Sequence, residues 1–123
     1  MKKSKKKSDA IAMHPRLRVT WRGEIALGPG KAELLAMVGE TGSINEAAKR
    51  MGMSYMRAWS LIQTMNRCFS KPLVAAARGG ADGGGAKLTT AGRQVLELYQ
   101  RMEEASVKAM ESDWEALREL LRD

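Results

Sequence analysis

The stretch SINEAAKRMGMSYMRAWSLIQTMNRC, residues 43–68, indicates two short helices joined by a glycine turn. Ala47 and Ala48 are small enough for a second helix to pack closely against the first. Gly52 follows where the chain must leave the first helix, because glycine accepts a positive φ without a Cβ penalty. Ser54 is then placed to cap the N-terminus of the second helix. This spacing predicts a helix-turn-helix.

The second helix of this motif has an apolar face and a polar face. Apolar residues recur at helical spacing and predict one buried stripe. The stripe consists of Ala58, Leu61, Ile62, Met65 and Phe69. The opposite face carries Met56, Arg57, Ser60, Gln63, Thr64 and Arg67. Because amide, hydroxyl and guanidinium groups suit base edges in a major groove, this face predicts binding of double-stranded DNA. On these residues alone, an ordinary αα-hairpin with a solvated polar face remains the alternative.

The formal net charge of +7 is unevenly distributed along the 123 residues. Residues 1–13 carry a net charge of +4, residues 14–93 carry +7, and residues 94–123 carry −4. Phosphates attract the first two segments and repel the third. We therefore predict a disordered basic tail (1–13), a DNA-binding domain (14–93) and a C-terminal dimerisation helix (94–123). The tail either follows phosphates non-specifically or only increases solubility.

The composition argues against several other classes of protein. Cys68 is the single cysteine and His14 the single histidine, so we expect no disulfide, no metal site and no cofactor. Cys68 is predicted to be a small core residue. No apolar run reaches the roughly 18 residues of a membrane span, and the basic N-terminus lacks the apolar stretch of a signal peptide. We expect a cytoplasmic protein.

The glycine-rich segment GGADGGG, residues 79–85, does not match a phosphate-binding loop. A P-loop needs Gly-Lys-Ser/Thr directly before a helix, whereas Ala86 precedes Lys87 and Leu88 follows it. The sequence also shows no paired carboxylates and no nucleophile with a base. We expect no catalytic residue and no enzymatic activity.

Two elements are predicted before the motif. The segment LRVTWRGEIALG, residues 17–28, alternates in polarity around Arg22-Gly23 and predicts either a short antiparallel hairpin or one bent strand. The segment AELLAMVGETG, residues 32–42, predicts a helix that ends at Gly42. The residues of this helix expected to face inward are Leu34, Leu35 and Val38.

The first motif helix begins at Ser43, which is predicted to be its N-cap. Glu46 lies three residues later, as in a capping box. Because backbone N–H groups at a helix N-terminus attract phosphates, Ser43 and Asn45 are also candidate DNA contacts.

The segments LVAAAR, residues 73–78, and AKLT, residues 86–89, predict two strands around the glycine-rich loop. Two strands directly after a helix-turn-helix form the wing of a winged helix. Arg78 and Lys87 flank the loop and are candidate contacts to phosphates or the minor groove. The alternative is a hairpin tip that makes no contact.

The longest predicted helix starts near Thr89 or Thr90 and runs towards the C-terminus. A helix of about thirty residues would be about 45 Å long, which exceeds a domain of this size. Its far end is therefore expected to pack against the same helix of a second chain in a homodimer. The candidate interface consists of Tyr99, Met102, Met110, Trp114, Leu117 and Leu121. Alternatively, a break around Ser112-Asp113 folds the last turns back onto the monomer.

The runs GSINEAAKRMGMSYMRAWSLIQTMN (42–66), PLV (72–74) and GGADGGGAKLTTAGRQVLELY (79–99) resemble the N-terminal DNA-binding domain of ModE-type molybdate-responsive regulators. That domain also resembles the LysR-type winged helix. The resemblance covers residues 17–105. Its most specific parts are Ser54-Tyr55, Ala58-Trp59 and Lys87-Leu88-Thr89.

The resemblance implies a mainly α fold with a small β hairpin (α+β), namely a winged helix-turn-helix with a long C-terminal dimerisation helix. It also implies a homodimer that binds a palindromic operator through a recognition helix at residues 54–67. Tyr55, Met56, Arg57 and Ser60 would lie nearest the bases, while Trp59 is expected to pack as core. The full set of candidate DNA contacts is Ser43, Asn45, Ser54, Tyr55, Met56, Arg57, Ser60, Gln63, Thr64, Arg67, Arg78 and Lys87.

One departure from the family pattern limits what the resemblance implies. ModE-type regulators that resemble this chain carry C-terminal molybdate-binding domains, whereas this sequence ends at Asp123. We therefore expect a one-domain regulator without a molybdate sensor, and its small-molecule effector is unknown. Two alternatives to a specific regulator remain, a non-specific architectural DNA-binding protein and a winged-helix protein-interaction module.

Overall fold

The computed structural model describes residues 10–77 and 85–122. Most of the predicted basic tail, Arg78 and residues 79–84 of the glycine-rich loop lie outside the described residues. The described elements are β1 (Val19–Trp21), β2 (Glu24–Leu27), α1 (Pro29–Thr41), α2 (Ile44–Arg50), α3 (Tyr55–Cys68), β3 (Val74–Ala77), β4 (Gly85–Leu88), α4 (Thr90–Ala109) and α5 (Glu111–Arg118). The predicted fold class, mainly α with small antiparallel sheets, is confirmed.

Strands β1 and β2 form the predicted antiparallel hairpin, and the alternative of a single bent strand is wrong. Arg22 and Gly23 form the turn with φ values of 50° and 84°. Two positive φ values match the right-handed twist of the paired strands. The Arg22 guanidinium carbon also lies 4.7 Å from the centroid of the Trp21 ring, in a cation–π contact.

Helix α1 begins at Pro29, three residues before the predicted start at Ala32. Proline suits the first helical position because its missing N–H would have no helical partner there. The inward side chains are buried as predicted, and they are Leu34, Leu35 and Val38. Gly42 ends the helix with a φ of 72°, as predicted.

Helices α2 and α3 form the predicted helix-turn-helix. Ala47 and Ala48 are buried, and Gly52 has a φ of 69° between the helices. The Ser54 hydroxyl accepts a hydrogen bond from the Arg57 N–H at 3.1 Å and caps α3. The caps and the glycine turn predicted from residues 43–68 therefore form as expected.

Only one of the two hydrogen bonds of the capping box predicted at the start of α2 forms. The Ser43 hydroxyl accepts from the Glu46 N–H at 3.0 Å, as predicted. The Ser43 N–H, however, donates to the Thr41 Oγ1 at 3.2 Å rather than to Glu46. The Glu46 carboxylate instead lies 3.7 Å from the Lys49 ammonium group.

Strands β3 and β4 form the predicted wing, with Val74 opposite Leu88 and Ala77 opposite Gly85. The Ala86 N–H donates to the Gly42 carbonyl at 3.0 Å, so β4 is attached beside the start of α2. The core between the wing and the helices is apolar. Cys68 is only partly buried at the end of α3, which corrects its predicted place in the core.

The C-terminal segment forms two helices, so the prediction of one continuous helix is wrong. Thr89 caps α4 as predicted, but the helix stops at Met110, where φ is −97° and ψ is 0°. This break precedes the predicted alternative at Ser112-Asp113. No residue of α5 is buried, so the last turns do not return to the core of the domain.

Tyr99 is buried in the core of its own domain, with 1% of its surface exposed. Its hydroxyl donates to the Leu17 carbonyl at 2.7 Å. Burial, and secondarily the nearby Glu103 carboxylate, raise the pKa of Tyr99. The apolar side of the first half of α4 packs against the core of the monomer. The assignment of Tyr99 to a dimer interface is therefore wrong.

Candidate nucleic-acid interface

The side chain of Asn66 connects α3 to the first strand of the wing. Its Oδ1 accepts from the backbone N–H groups of Leu73 at 2.8 Å and Val74 at 3.2 Å. Its Nδ2 donates to the Val74 carbonyl at 3.2 Å. One amide group therefore satisfies three backbone groups of the wing and sets its position relative to α3.

Asn66 was not among the residues predicted to matter. The sequence feature that could have identified it is an amide side chain on the edge of the apolar stripe of α3. This amide lies six residues before Pro72, which the strand β3 follows. A polar side chain at that position requires a partner when it is partly buried, and the chain after Pro72 supplies it.

A groove of about 330 Å³ separates α3 from the wing. On the α3 side it is lined by Tyr55, Trp59, Gln63 and Asn66, and on the wing side by residues of β3 and β4. Trp59 is 42% exposed at the edge of this groove, so the expectation that it packs as core is wrong. Its position four residues after Tyr55 places both aromatic rings on the wing side of α3.

The outward face of α3 carries three of the predicted DNA contacts as exposed side chains, namely Met56, Arg57 and Ser60. Gln63 lies beside them and is half-buried. In the described parts of the chain, the side chains of Arg57, Ser60 and Gln63 take part in no hydrogen bond or ion pair. A guanidinium, a hydroxyl and an amide therefore face solvent together, with donors and acceptors available to an external ligand.

Four other predicted contacts already have partners within the protein. The hydroxyls of Ser43 and Ser54 cap helices, and the Thr64 Oγ1 donates to the Ser60 carbonyl at 3.2 Å. The Arg67 Nη2 lies 2.7 Å from the Glu24 Oε1 of strand β2. Because both side chains are about half exposed, this ion pair contributes little to stability, but it orients Arg67 towards the hairpin.

Two of the remaining predicted contacts lie on elements beside α3. Asn45 is half-buried in the first turn of α2, and Lys87 is exposed on β4 opposite Ala75. Arg78 lies outside the described residues. Ile44 at the start of α2 lines the same groove as the wing side of α3 and the two wing strands, so these three elements meet there.

Residues 10–77 and 85–122 show neither a metal-binding cluster nor a helix that could span a membrane. This part of the chain contains no group of three His, Cys, Asp or Glu side chains arranged to bind a metal. In the same ranges, none of the helices combines the length and the apolar character that a membrane crossing needs.

The sequence profile described as "Bacterial regulatory helix-turn-helix protein, lysR family" matches residues 30–93, which is more than half of the chain. The chain belongs to this lysR family. The matched residues include α1, the helix-turn-helix and the wing, so this lysR-family match coincides with the candidate interface.

Comparison with curated relatives confirms the resemblance of this lysR-family chain to ModE-type regulators. The molybdenum-pterin-binding protein MopB of Rhodobacter capsulatus is 43% identical over 86 residues, covering 70% of this chain and 32% of MopB. The DNA-binding transcriptional dual regulator ModE of Escherichia coli K12 is 40% identical over 91 residues, covering 72% of this chain and 35% of that ModE. The chain thus spans about a third of the length of the curated relatives it matches.

Solved structures confirm the winged-helix fold of this lysR-family chain. The crystal structure of a complex of the CbnR DNA-binding domain with DNA superimposes with a TM-score of 0.57 at 23% identity, covering 72% of this chain and 95% of that one. ArgP from Mycobacterium tuberculosis gives a TM-score of 0.52 at 23% identity, covering 68% of this chain and 30% of ArgP. At this identity the comparison concerns the fold alone.

Proposed function

We propose that this chain acts as a transcription regulator that binds double-stranded DNA through α3 and the wing. The observation that carries the proposal is the outward face of α3, where Arg57, Ser60 and Gln63 have no protein partner among the described residues. The names of its ModE relatives and the DNA complex of its structural neighbour support the same role. The proposal involves no catalysis, because a family of helix-turn-helix regulators supports a binding role.

The proposed mechanism places the N-terminal half of α3 in the major groove. The Arg57 guanidinium can donate two hydrogen bonds to a guanine edge, and Ser60 and Gln63 can contact neighbouring bases. Lys87 on β4, and Arg78, which directly follows β3 in the sequence, would neutralise phosphates and position the domain without selecting a base sequence. Affinity should therefore fall steeply as the salt concentration rises.

Selection of bound sequences from random duplexes, followed by a salt titration on the enriched duplex, tests this function. A palindromic enriched motif with salt-sensitive affinity supports a specific dimeric regulator. Salt-sensitive binding without any enriched motif would favour the architectural alternative. Absence of binding to every duplex would favour the protein-interaction alternative.

Replacing Arg57 by alanine is predicted to weaken binding to the enriched duplex by about 1–3 kcal/mol, because a base contact is lost. Binding to a scrambled duplex should change much less. Fluorescence anisotropy with both duplexes measures the difference. Arg101→Ala, which removes the same charge from α4, serves as the control and should leave the preference unchanged. Equal weakening on both duplexes by Arg57→Ala would contradict its role in base recognition.

The same proposal includes a homodimer formed through α4 and α5. Met102 is 48% exposed and Leu117 is 53% exposed, so about half of each apolar residue remains uncovered within the monomer. The other predicted interface residues on these helices are Met110, Trp114 and Leu121. Leu98, one helical turn before Met102, is 44% exposed and extends the same surface although it was not predicted. A second copy of the chain would cover this apolar surface.

The double variant Met102→Glu, Leu117→Glu is predicted to be monomeric, because it would place charges inside the proposed apolar interface. Sedimentation velocity over a range of concentrations measures the change. The matched control is Gln100→Glu, Ser112→Glu, which adds the same charges at exposed polar positions of the same segment. A Met102/Leu117 variant that sediments as the same dimer would show that the interface lies elsewhere.

A further inference from the structure

Three large apolar side chains are exposed together in the first half of α3. Tyr55 is 46% exposed, Met56 is 66% exposed and Trp59 is 42% exposed. Trp59 lies four residues after Tyr55 and three after Met56, so the three side chains are neighbours on the helix surface. An exposed apolar cluster of this kind on a soluble domain marks a surface that another molecule covers.

Nothing in the described protein can take these side chains inside. The inner side of α3 is already filled by Ala58, Ile62 and Met65, all buried. Asn66 also lines the groove on the wing side, and its amide is already hydrogen-bonded to Leu73 and Val74. Tyr55, Met56 and Trp59 therefore stay at the surface while the domain is free in solution.

The position of the cluster limits the chemistry of what covers it. Under the proposed function, on which this inference rests, the N-terminal half of α3 lies in the major groove. The edges of bases there carry hydrogen-bonding groups and one apolar group, the 5-methyl of thymine. We infer that Tyr55, Met56 and Trp59 form an apolar contact surface for thymine 5-methyl groups in the target duplex.

The recognition helix α3 then has an apolar part and a hydrogen-bonding part. Met56 is the most exposed of the three and lies on the outward face, while Tyr55 and Trp59 lie towards the wing. Arg57 follows Met56 by about 100° around the axis and lies on the side of the outward face away from the wing, where it can donate to a guanine. We therefore expect the bound duplex to present thymines to the wing side of α3 and a guanine to the side that carries Arg57.

Substitution of deoxyuridine for thymine in the enriched duplex tests the inference, because it removes the methyl group and leaves all hydrogen-bonding groups in place. At one or more thymines facing α3, we expect the wild-type chain to bind the uracil duplex about fourfold more weakly for each buried methyl. The variant Met56→Ala should bind thymine and uracil duplexes at those positions equally. Met56→Leu, which keeps an apolar side chain, should retain the preference for thymine.

The outcomes separate this inference from the proposed function. If a specific motif is enriched but uracil replaces thymine everywhere without loss, the inference is overturned while DNA recognition stands. The same holds if Met56→Ala, Tyr55→Ala and Trp59→Ala all keep the full preference for thymine. If no duplex is bound, the proposed function fails and the inference fails with it. Circular dichroism of each variant verifies that the helices are intact.

Discussion

Replacing Gly92 by alanine is expected to lower the free energy of unfolding by about 3 kcal/mol or more, as overpacking against a rigid neighbour does. A Cβ at Gly92 would clash with the carbonyl oxygen of Leu73 and would lie 3.0 Å from its carbonyl carbon. Both atoms belong to the backbone, so no rotamer change relieves the contact. The start of α4 would have to move away from the segment that leads into the wing.

The sign of this effect distinguishes packing from helix propensity. Glycine to alanine inside a helix normally stabilises it by up to about 1 kcal/mol. Gly30→Ala in the first turn of α1 provides the control, since a Cβ there meets nothing within 4 Å. Urea denaturation should therefore show a large loss for Gly92→Ala and little change or a gain for Gly30→Ala. A Gly92→Ala protein as stable as wild type would contradict the close approach of α4 to Leu73.

Replacing Asn66 by alanine is expected to cost about 2–3 kcal/mol, because partly buried backbone groups of the wing lose their partners. The N–H groups of Leu73 and Val74 and the Val74 carbonyl would all lose a hydrogen bond. The wing would also lose its side-chain connection to α3, although β4 would stay attached through the Ala86–Gly42 hydrogen bond. We therefore expect affinity for the enriched duplex to fall even at temperatures where the variant is fully folded.

Asn45→Ala is the matched control for stability. It removes the same side-chain amide from a half-buried helical position, where no hydrogen bond of that amide is present among the described residues. Its free energy of unfolding should stay within about 0.5 kcal/mol of wild type. If urea denaturation gave equal losses for the two variants, the connection between α3 and the wing would not depend on Asn66.

The elements that the sequence predicted correctly depend on short-range signals. The turn at Arg22-Gly23, the cap at Ser54 and the positive φ of Gly52 each involve residues within about four positions of one another. The wing followed from two apolar segments around a glycine-rich loop. Such signals act through the local backbone conformation, so they do not need knowledge of the rest of the fold.

The predictions that were wrong depend on contacts between distant parts of the chain. Tyr99 belongs to the same apolar seam as Met102, and periodicity alone cannot tell which part of a seam is covered by the monomer. The ion pair of Arg67 with Glu24 joins residues 43 positions apart, which no local pattern indicates. Trp59 lies on the flank of α3, and its partial exposure depends on where the wing strands lie across the groove from it.

The sequence by itself determined the helix-turn-helix, the wing and the set of polar side chains on the outward face of α3. These features follow from caps, glycines and the period of apolar residues, all of which act over a few positions. Only the tertiary structure decided which of those side chains are still available to DNA and which already have partners. For Arg67 that choice depends on Glu24, which lies 43 positions away in the sequence, and such a contact exists only once the core has packed.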